Sequence, residues 1–241
     1  MRICTWNILL GLRLVAVLSA VRSLPDFARL DLLALQEASV HDGVPDAQVI
    51  ADAMGPEYRW FQANAQKFRN REQGNALIWR KELFESAAHD TVSLSDIPPE
   101  RYGPAERALL RVIPPQRRIA VRAESRDLRV YVMHLDVLGF THKLEQFRAI
   151  LTDLAARPPV RQTIIAGDLN TFGPPQLRPW RRLRVEAQNA GLVELTRNLR
   201  RTHWTRQKLD AIYLRTKQTP PHRSWTLGVR ASDHLPVFAE Y

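Results

Sequence analysis

The run Thr163-Ile164-Ile165-Ala166 offers no polar face, so a strand built from it must be dry on both sides. It is bounded by Gly167 and then by Gly173-Pro174-Pro175, which end the strand and open a loop. Similar strand-like segments recur at residues 2–8, 31–36, 58–63, 75–80, 118–123, 128–134, 209–214, 225–229 and 237–240. Helical spacing appears between several of them. In "THKLEQFRAILTDLAARPP", Leu144, Phe147, Ile150, Leu151 and Leu154 share one face, Thr141 caps the start and Pro158-Pro159 closes the end. Residues 12–24, 45–54 and 179–190 are further helix candidates. Ten strands with about four helices do not fit a strictly alternating parallel sheet, so the expected fold is a mixed α/β sandwich with helices outside.

Composition narrows the class. A chain of 241 residues that is 45% apolar suits one domain over residues 1–241, able to bury about three quarters of its unfolded surface. Residues 96–116 carry five prolines and read as a long surface loop, not a linker. Cys4 is the only cysteine, which excludes a disulfide framework and a cysteine-based zinc site and makes the cytoplasm the expected setting. The apolar run at residues 14–18 is too short to span a bilayer and follows a strand-like opening, "MRICTWN". It reads as a buried helix, with no stable membrane insertion expected. Thirty-five Lys+Arg against twenty-five Asp+Glu give +10, which favours anionic partners or simply keeps a monomer soluble.

Several apolar segments deliver a polar side chain to the edge of the core. Asn7 follows "RICTW", Glu37 follows "DLLALQ", His134 follows "LRVYVM", Asp168 and Asn170 follow "QTIIAG", and Asp233-His234 precede "PVFAEY". Each has a structural explanation alone: Asn7, Glu37 and Asp233 as caps, His134 as a satisfied core histidine, Asp168 and Asn170 as turn residues. Together they make chemical sense as one site. Mg²⁺ (with Mn²⁺ or Ca²⁺ as alternatives) wants oxygen ligands and keeps several waters, so Glu37, with Asp233 as a second carboxylate and Asn7 nearby, would suffice. His134 and His234 remain for proton transfer or phosphoryl binding, and Asp210 in "KLDAIYL" can orient an imidazole. Such a set suits in-line attack of water on phosphorus, with Asp168 and Asn170 aligning the water. No His-x₃-His or cysteine cluster supports a zinc hydrolase.

The ordered motifs "CTWNI", "LLALQEAS", "YVMHLDV", "IIAGDLNT", "KLDAIYL" and "SDHLPVFAEY" span essentially the whole chain and resemble the endonuclease/exonuclease/phosphatase superfamily, the fold of deoxyribonuclease I. That resemblance implies a four-layer αββα sandwich of two mixed sheets with the site at one edge. It implies Glu37 as the principal Mg²⁺ ligand with Asn7 beside it, and Asp168 and Asn170 as the water- and phosphate-positioning pair. His234 would be the catalytic histidine held by Asp210, His134 a second phosphate-facing histidine, and Asp233 a further metal or water ligand.

The motifs also depart from the family. Leu9 stands where the abasic-site repair branch has an aspartate, and that branch does not normally keep the histidine found at His134. No acid stands in residues 75–80, where some relatives carry the partner of the second histidine, and Asp136 is the nearest substitute. Arg118 sits where relatives often carry a phosphate-reaching arginine; a surface arginine is the alternative.

For substrate, nucleic acid leads, with DNA favoured. Residues 177–208 hold nine Arg/Lys, including Arg178, Arg200 and Arg201, against Glu186 and Glu194, interleaved with Trp180 and Trp204. A solvated basic helix face explains part of this charge. Phospholipid phosphodiesterases and phosphoinositide phosphatases of the same superfamily are the alternative, a phospholipid head group then being bound, with "LGFTH" and "RYGPAERALLRVIPP" as apolar loop candidates. A binding module without catalysis would have lost a central group, and none is missing.

Overall fold

In β1 (Arg2–Asn7) alternate side chains serve two different cores. Ile3 packs with Leu32, Leu77, Val130, Ile164 and Ile212, whereas Cys4 and Trp6 pack with Val17, Ile50 and Phe238. A strand buried on both faces must lie between two layers. The computed structural model describes residues 1–68, 70–84, 88–112, 115–139, 142–172 and 180–241.

One six-stranded sheet runs in the order β13 (Arg223–Thr226), β14 (Val237–Glu240), β1, β2 (Leu32–Ala38), β6 (Arg71–Arg80), β5 (Tyr58–Phe68). The other runs β11 (Val193–Glu194), β12 (Asp210–Arg215), β10 (Gln162–Asp168), β9 (Leu128–His134), β8 (Ile119–Glu124), β7 (Ala88–Ser93). The pairs β1–β2 and β9–β10 are parallel and their neighbours antiparallel, so both sheets are mixed. The short strands β3 (Val40–His41) and β4 (Val44–Pro45) form a small ribbon.

Between the sheets lies an apolar layer that includes Ala34, Val121, Val132, Ala166 and Leu214. The outer face of the first sheet is covered by α1 (Leu14–Ser23), α2 (Pro25–Ala28) and α3 (Asp46–Met54), through Val17, Phe27 and Ile50. The outer face of the second is covered by α5 (His142–Ala155) and α6 (Trp180–Asn189), whose Phe147, Ile150, Leu154 and Leu183 meet Tyr131, Ile165 and Tyr213. The α/β, four-layer αββα sandwich expected from the motifs is therefore the fold observed. No helix of the described residues is long and apolar enough to cross a membrane.

Four local expectations need correction. The edge strand β7 had no sequence signal. Residues 225–229 are not a strand throughout; β13 lies earlier, at Arg223–Thr226. The proline-rich stretch read as loop contains α4 (Pro104–Leu109), begun by Pro104, with the Gly103 N–H donating to the Glu106 carboxylate at 2.9 Å. Beside it Ile97, Tyr102 and Leu138 form a satellite core. Finally, α1 is half-buried: Val17, Ala20 and Val21 face inward while Val15 is 82% exposed. Thr141, Gly173-Pro174-Pro175, Arg178 and Pro179 lie outside the described residues.

The register explains why the polar groups meet. Asn7 stands opposite Gln36, and Asp168 stands opposite both His134 and Asp210. β14 runs antiparallel to β1, pairing Val237 with Thr5, so the residues just before it arrive at the same edge.

Candidate active site

Asn7 ends β1 and is buried; its Nδ2 donates to Asp168 Oδ2 at 3.1 Å and to Glu37 Oε1 at 3.4 Å. Its Oδ1 accepts from the Leu9 N–H at 3.0 Å, which holds the amide in that orientation. Glu37 occupies a bulge in β2, where the register shifts between Gln36 and Ala38, and its φ is +53°. A left-handed glutamate costs on the order of 1 kcal/mol, and the bulge re-aims its carboxylate toward Asn7.

Asp168 owes its position to Gly167. At a φ of +150°, a Cβ on residue 167 would lie 1.8 Å from the Met133 carbonyl oxygen, so only glycine lets β10 press this closely on β9. Asn170, with φ +48°, turns the chain back. Its N–H donates to Asp168 Oδ1 and its Nδ2 to the Leu135 carbonyl, both at 2.8 Å.

His234 is fixed from several sides. Its Nδ1 meets Asp210 Oδ2 at 2.9 Å, its Nε2 lies 3.4 Å from Asp168 Oδ2, and its carbonyl accepts from Trp6 Nε1 at 3.1 Å. Burial opposes its charge, but the carboxylates of Asp210 and Asp168 prevail and raise its pKa to about 10. His134 is the opposite case. Its Nδ1 faces Arg118 Nη1 at 2.9 Å, and its Nε2 lies 3.6 Å from Asp168 Oδ2 and 3.9 Å from Glu37 Oε1. Burial, Arg118 and His234 together push its pKa well below the usual range.

The two central carboxylates are poorly compensated. Burial raises the pKa of Glu37 despite Arg118 and Asn7, and burial with the neighbouring Asp210 raises Asp168 to about 6 despite His234. Asn7, Glu37, His134, Asp168, Asn170, Asp210, His234 and Arg118 thus form one contiguous constellation.

The remaining candidates lie at its margin. Asp233 is half-buried, accepts from Ser232 Oγ at 3.1 Å, and has Oδ2 at 3.6 Å from His203 Nε2. Arg200 lines a cavity of about 330 Å³ beside Asp210, together with Trp180, Arg197 and Lys208. Arg201 is exposed, with its Nε donating to the His203 carbonyl at 3.4 Å. Asp136 is buried where its charge acts on Arg118, and does not supply the partner of the His134 ring, whose Nδ1 faces Arg118 instead.

His203 is a neighbour the motifs did not reveal. Its ring sits edge-on to that of His234 with centroids 4.6 Å apart, and its Nδ1 accepts from the Thr205 N–H at 3.3 Å.

The donor set fits a hard divalent cation. The Glu37 and Asp168 carboxylates supply oxygen donors in a buried space whose negative charge a cation would offset, and the Asn7 Nδ2 between them holds both in place. Ligand atoms of Asp168, Asp210 and His234 lie within 4.8 Å of one another, as do those of His203, Asp233 and His234. Since His234 is committed to Asp210, the side bounded by Asn7, Glu37 and Asp168 suits the ion better.

A model of the Endonuclease/Exonuclease/phosphatase family matches residues 4–234. No curated protein matches the sequence significantly. The fold is similar to an endonuclease/exonuclease/phosphatase from Beutenbergia cavernae (TM-score 0.71, 16% identity, 99% of this chain and 70% of that one). It is also similar to an endonuclease/exonuclease/phosphatase family protein from Leptotrichia buccalis (TM-score 0.69, 15% identity, 100% and 98%). A third similar structure is D. rerio TDP2 complexed with a single-strand DNA product (TM-score 0.62, 16% identity, 100% and 99%).

Proposed function

The chain belongs to the Endonuclease/Exonuclease/phosphatase family, whose members are metal-dependent phosphoesterases, and on that premise we propose that it is a Mg²⁺-dependent phosphodiesterase acting on nucleic acid, DNA first. The observation that carries this reading is the hydrogen-bonded chain Glu37–Asn7–Asp168, with His234–Asp210 on one side and His134 on the other.

Glu37 would hold the cation, and Asn7, whose Nδ2 bridges Glu37 and Asp168, would orient those carboxylates; Asp233, on the His203 side, is a further candidate ligand. When bound, the ion supplies positive charge for the non-bridging phosphate oxygens. Asp168 takes the proton of the attacking water, whose oxygen bonds to phosphorus as the opposite P–O bond breaks. Asn170 fixes that carboxylate through its N–H. His234 protonates the leaving oxygen and can recover a proton from Asp168, 3.4 Å away. Residues 1–241 then act as one catalytic domain.

A nucleic-acid substrate is supported by the net charge of +10, by Arg197 and Arg200 at the cavity beside Asp210, and by Trp204, exposed next to His203. The similar D. rerio structure holds a single-strand DNA product. A phospholipid substrate is the second reading, and it rests on Leu109 and Val112, 46% and 72% exposed in the segment that also holds α4.

The test is a parallel assay with Mg²⁺ or chelator on plasmid, single strand, RNA, a choline phospholipid and a soluble phosphomonoester. Metal-dependent cleavage of nucleic acid is expected, and turnover of the phospholipid alone would replace this reading with the second. Asp168→Ala and His234→Ala should each cut kcat at least about a hundredfold without unfolding the protein. Full activity in His234→Ala would reject the mechanism.

A further inference from the structure

The two histidines of the site are backed by opposite charges. Asp210 can only accept, so the His234 nitrogen facing it carries a hydrogen. Arg118 can only donate: a guanidinium has five N–H groups and no acceptor. The His134 nitrogen at 2.9 Å from Arg118 Nη1 is therefore a bare lone pair, and the ring's one hydrogen sits on Nε2. A flipped ring would set a C–H against the guanidinium, which removes the alternative. The Arg118 side chain cannot swing away easily, being 3% exposed and held among Asp136, Glu37 and Asp168 by charge.

No acid in residues 75–80 competes for this position, and in the same strand Glu72 pairs with Lys67 while the Asn75 Nδ2 is spent on the Ile119 carbonyl at 2.7 Å. On the far side of the ring, His134 Nε2 is buried and has no hydrogen-bond partner among the described residues. Asp168 Oδ2 at 3.6 Å and Glu37 Oε1 at 3.9 Å are too far for a good bond, so the N–H is aimed into the space between the carboxylates.

We infer that Arg118 is a positioning residue that locks His134 as the neutral tautomer protonated on Nε2, so that His134 gives the substrate phosphate one hydrogen bond and leaves proton transfer to His234. This rests on the phosphodiesterase reading above. The site would then set His234, Arg118 and the cation against the carboxylates of Glu37, Asp168 and Asp210, with His134 adding no fourth positive charge.

The decisive measurement is a two-bond ¹H–¹⁵N correlation spectrum of imidazole-labelled enzyme at neutral pH. His134 Nδ1 should resonate as an unprotonated acceptor and Nε2 as a protonated nitrogen. Protonation at Nδ1, alone or with Nε2, overturns the inference. Arg118→Lys keeps one cationic donor and should keep both the tautomer and kcat within about tenfold. Arg118→Met should lose the fixed tautomer and lower kcat about a hundredfold, with KM moving less. A folded Arg118→Met variant with wild-type kcat also overturns it. Where Arg118→Met does not fold, the wild-type and Arg118→Lys spectra decide. The spectra do not depend on turnover. An Nδ1-protonated His134 in an active phosphodiesterase removes this inference alone, whereas an acceptor Nδ1 in an enzyme that cleaves no phosphodiester upholds the lock and removes the activity reading.

Discussion

In the proposed mechanism Asp168 and His234 work in opposite protonation states, and their surroundings separate the two titrations. Asp168 must be ionised to take a proton, and burial holds its pKa near 6; His234 must be charged to give one, and its carboxylate neighbours hold it near 10. The expected kcat/KM therefore climbs as pH rises through about 6, levels off, and declines toward about 10. Saturating Mg²⁺ should move the lower limb to more acidic pH, because a nearby cation favours the carboxylate. A rate that stays flat through pH 6 would contradict the role of Asp168. Asn7, Glu37, His134, Asp168, Asn170, Asp210 and His234 were legible in the sequence because each ends or begins an apolar run. His203 was not, since it lies in an arginine-rich loop and reaches the site through a bridge and a ring contact to His234 that no local pattern announces. The burial of Arg118 was equally hidden: only the pairing of β8 with β9 brings it beside His134.

Elements impose their own limits on change. Gly167→Ala must either push β9 and β10 apart or distort the backbone, and should cost about 3 kcal/mol or more, read as a fall in the urea midpoint. A midpoint equal to that of the parent would show that the two strands do not approach so closely. In α5, burial lowers the pKa of Lys143 to about 8, against a usual lysine value of 10.5. The unfolded chain thus binds more protons between those values, so stability should rise with pH over that interval. Lys143→Met should remove that slope, and an unchanged slope would assign it to other groups. α5 was visible from its apolar spacing. β7 was not, because five of its six residues are exposed and no alternation marks an edge strand. α4 was masked by the prolines around it, although Pro104 is well suited to a first helical turn.

On the scale of the whole molecule, the positive surplus should show itself as salt dependence. Replacing Arg200 and Arg201 by alanine should weaken DNA binding and flatten the plot of log K against log salt by about 0.9 for each phosphate that is no longer neutralised. A slope unchanged from the parent would place the nucleic acid elsewhere. The four layers could be anticipated, since strands dry on both faces and one-sided helices leave few other arrangements. The strand order could not, because no local signal tells β14 to enter between β1 and β13. That late insertion bears on biosynthesis. A polypeptide emerging from the ribosome N-terminus first has an open flank on β1 until residues 237–240 exist, and His234 is delivered with them. On the proposed mechanism, the nascent chain would gain a complete centre only as β14 docks on β1 and brings His234 to the edge of the sheet.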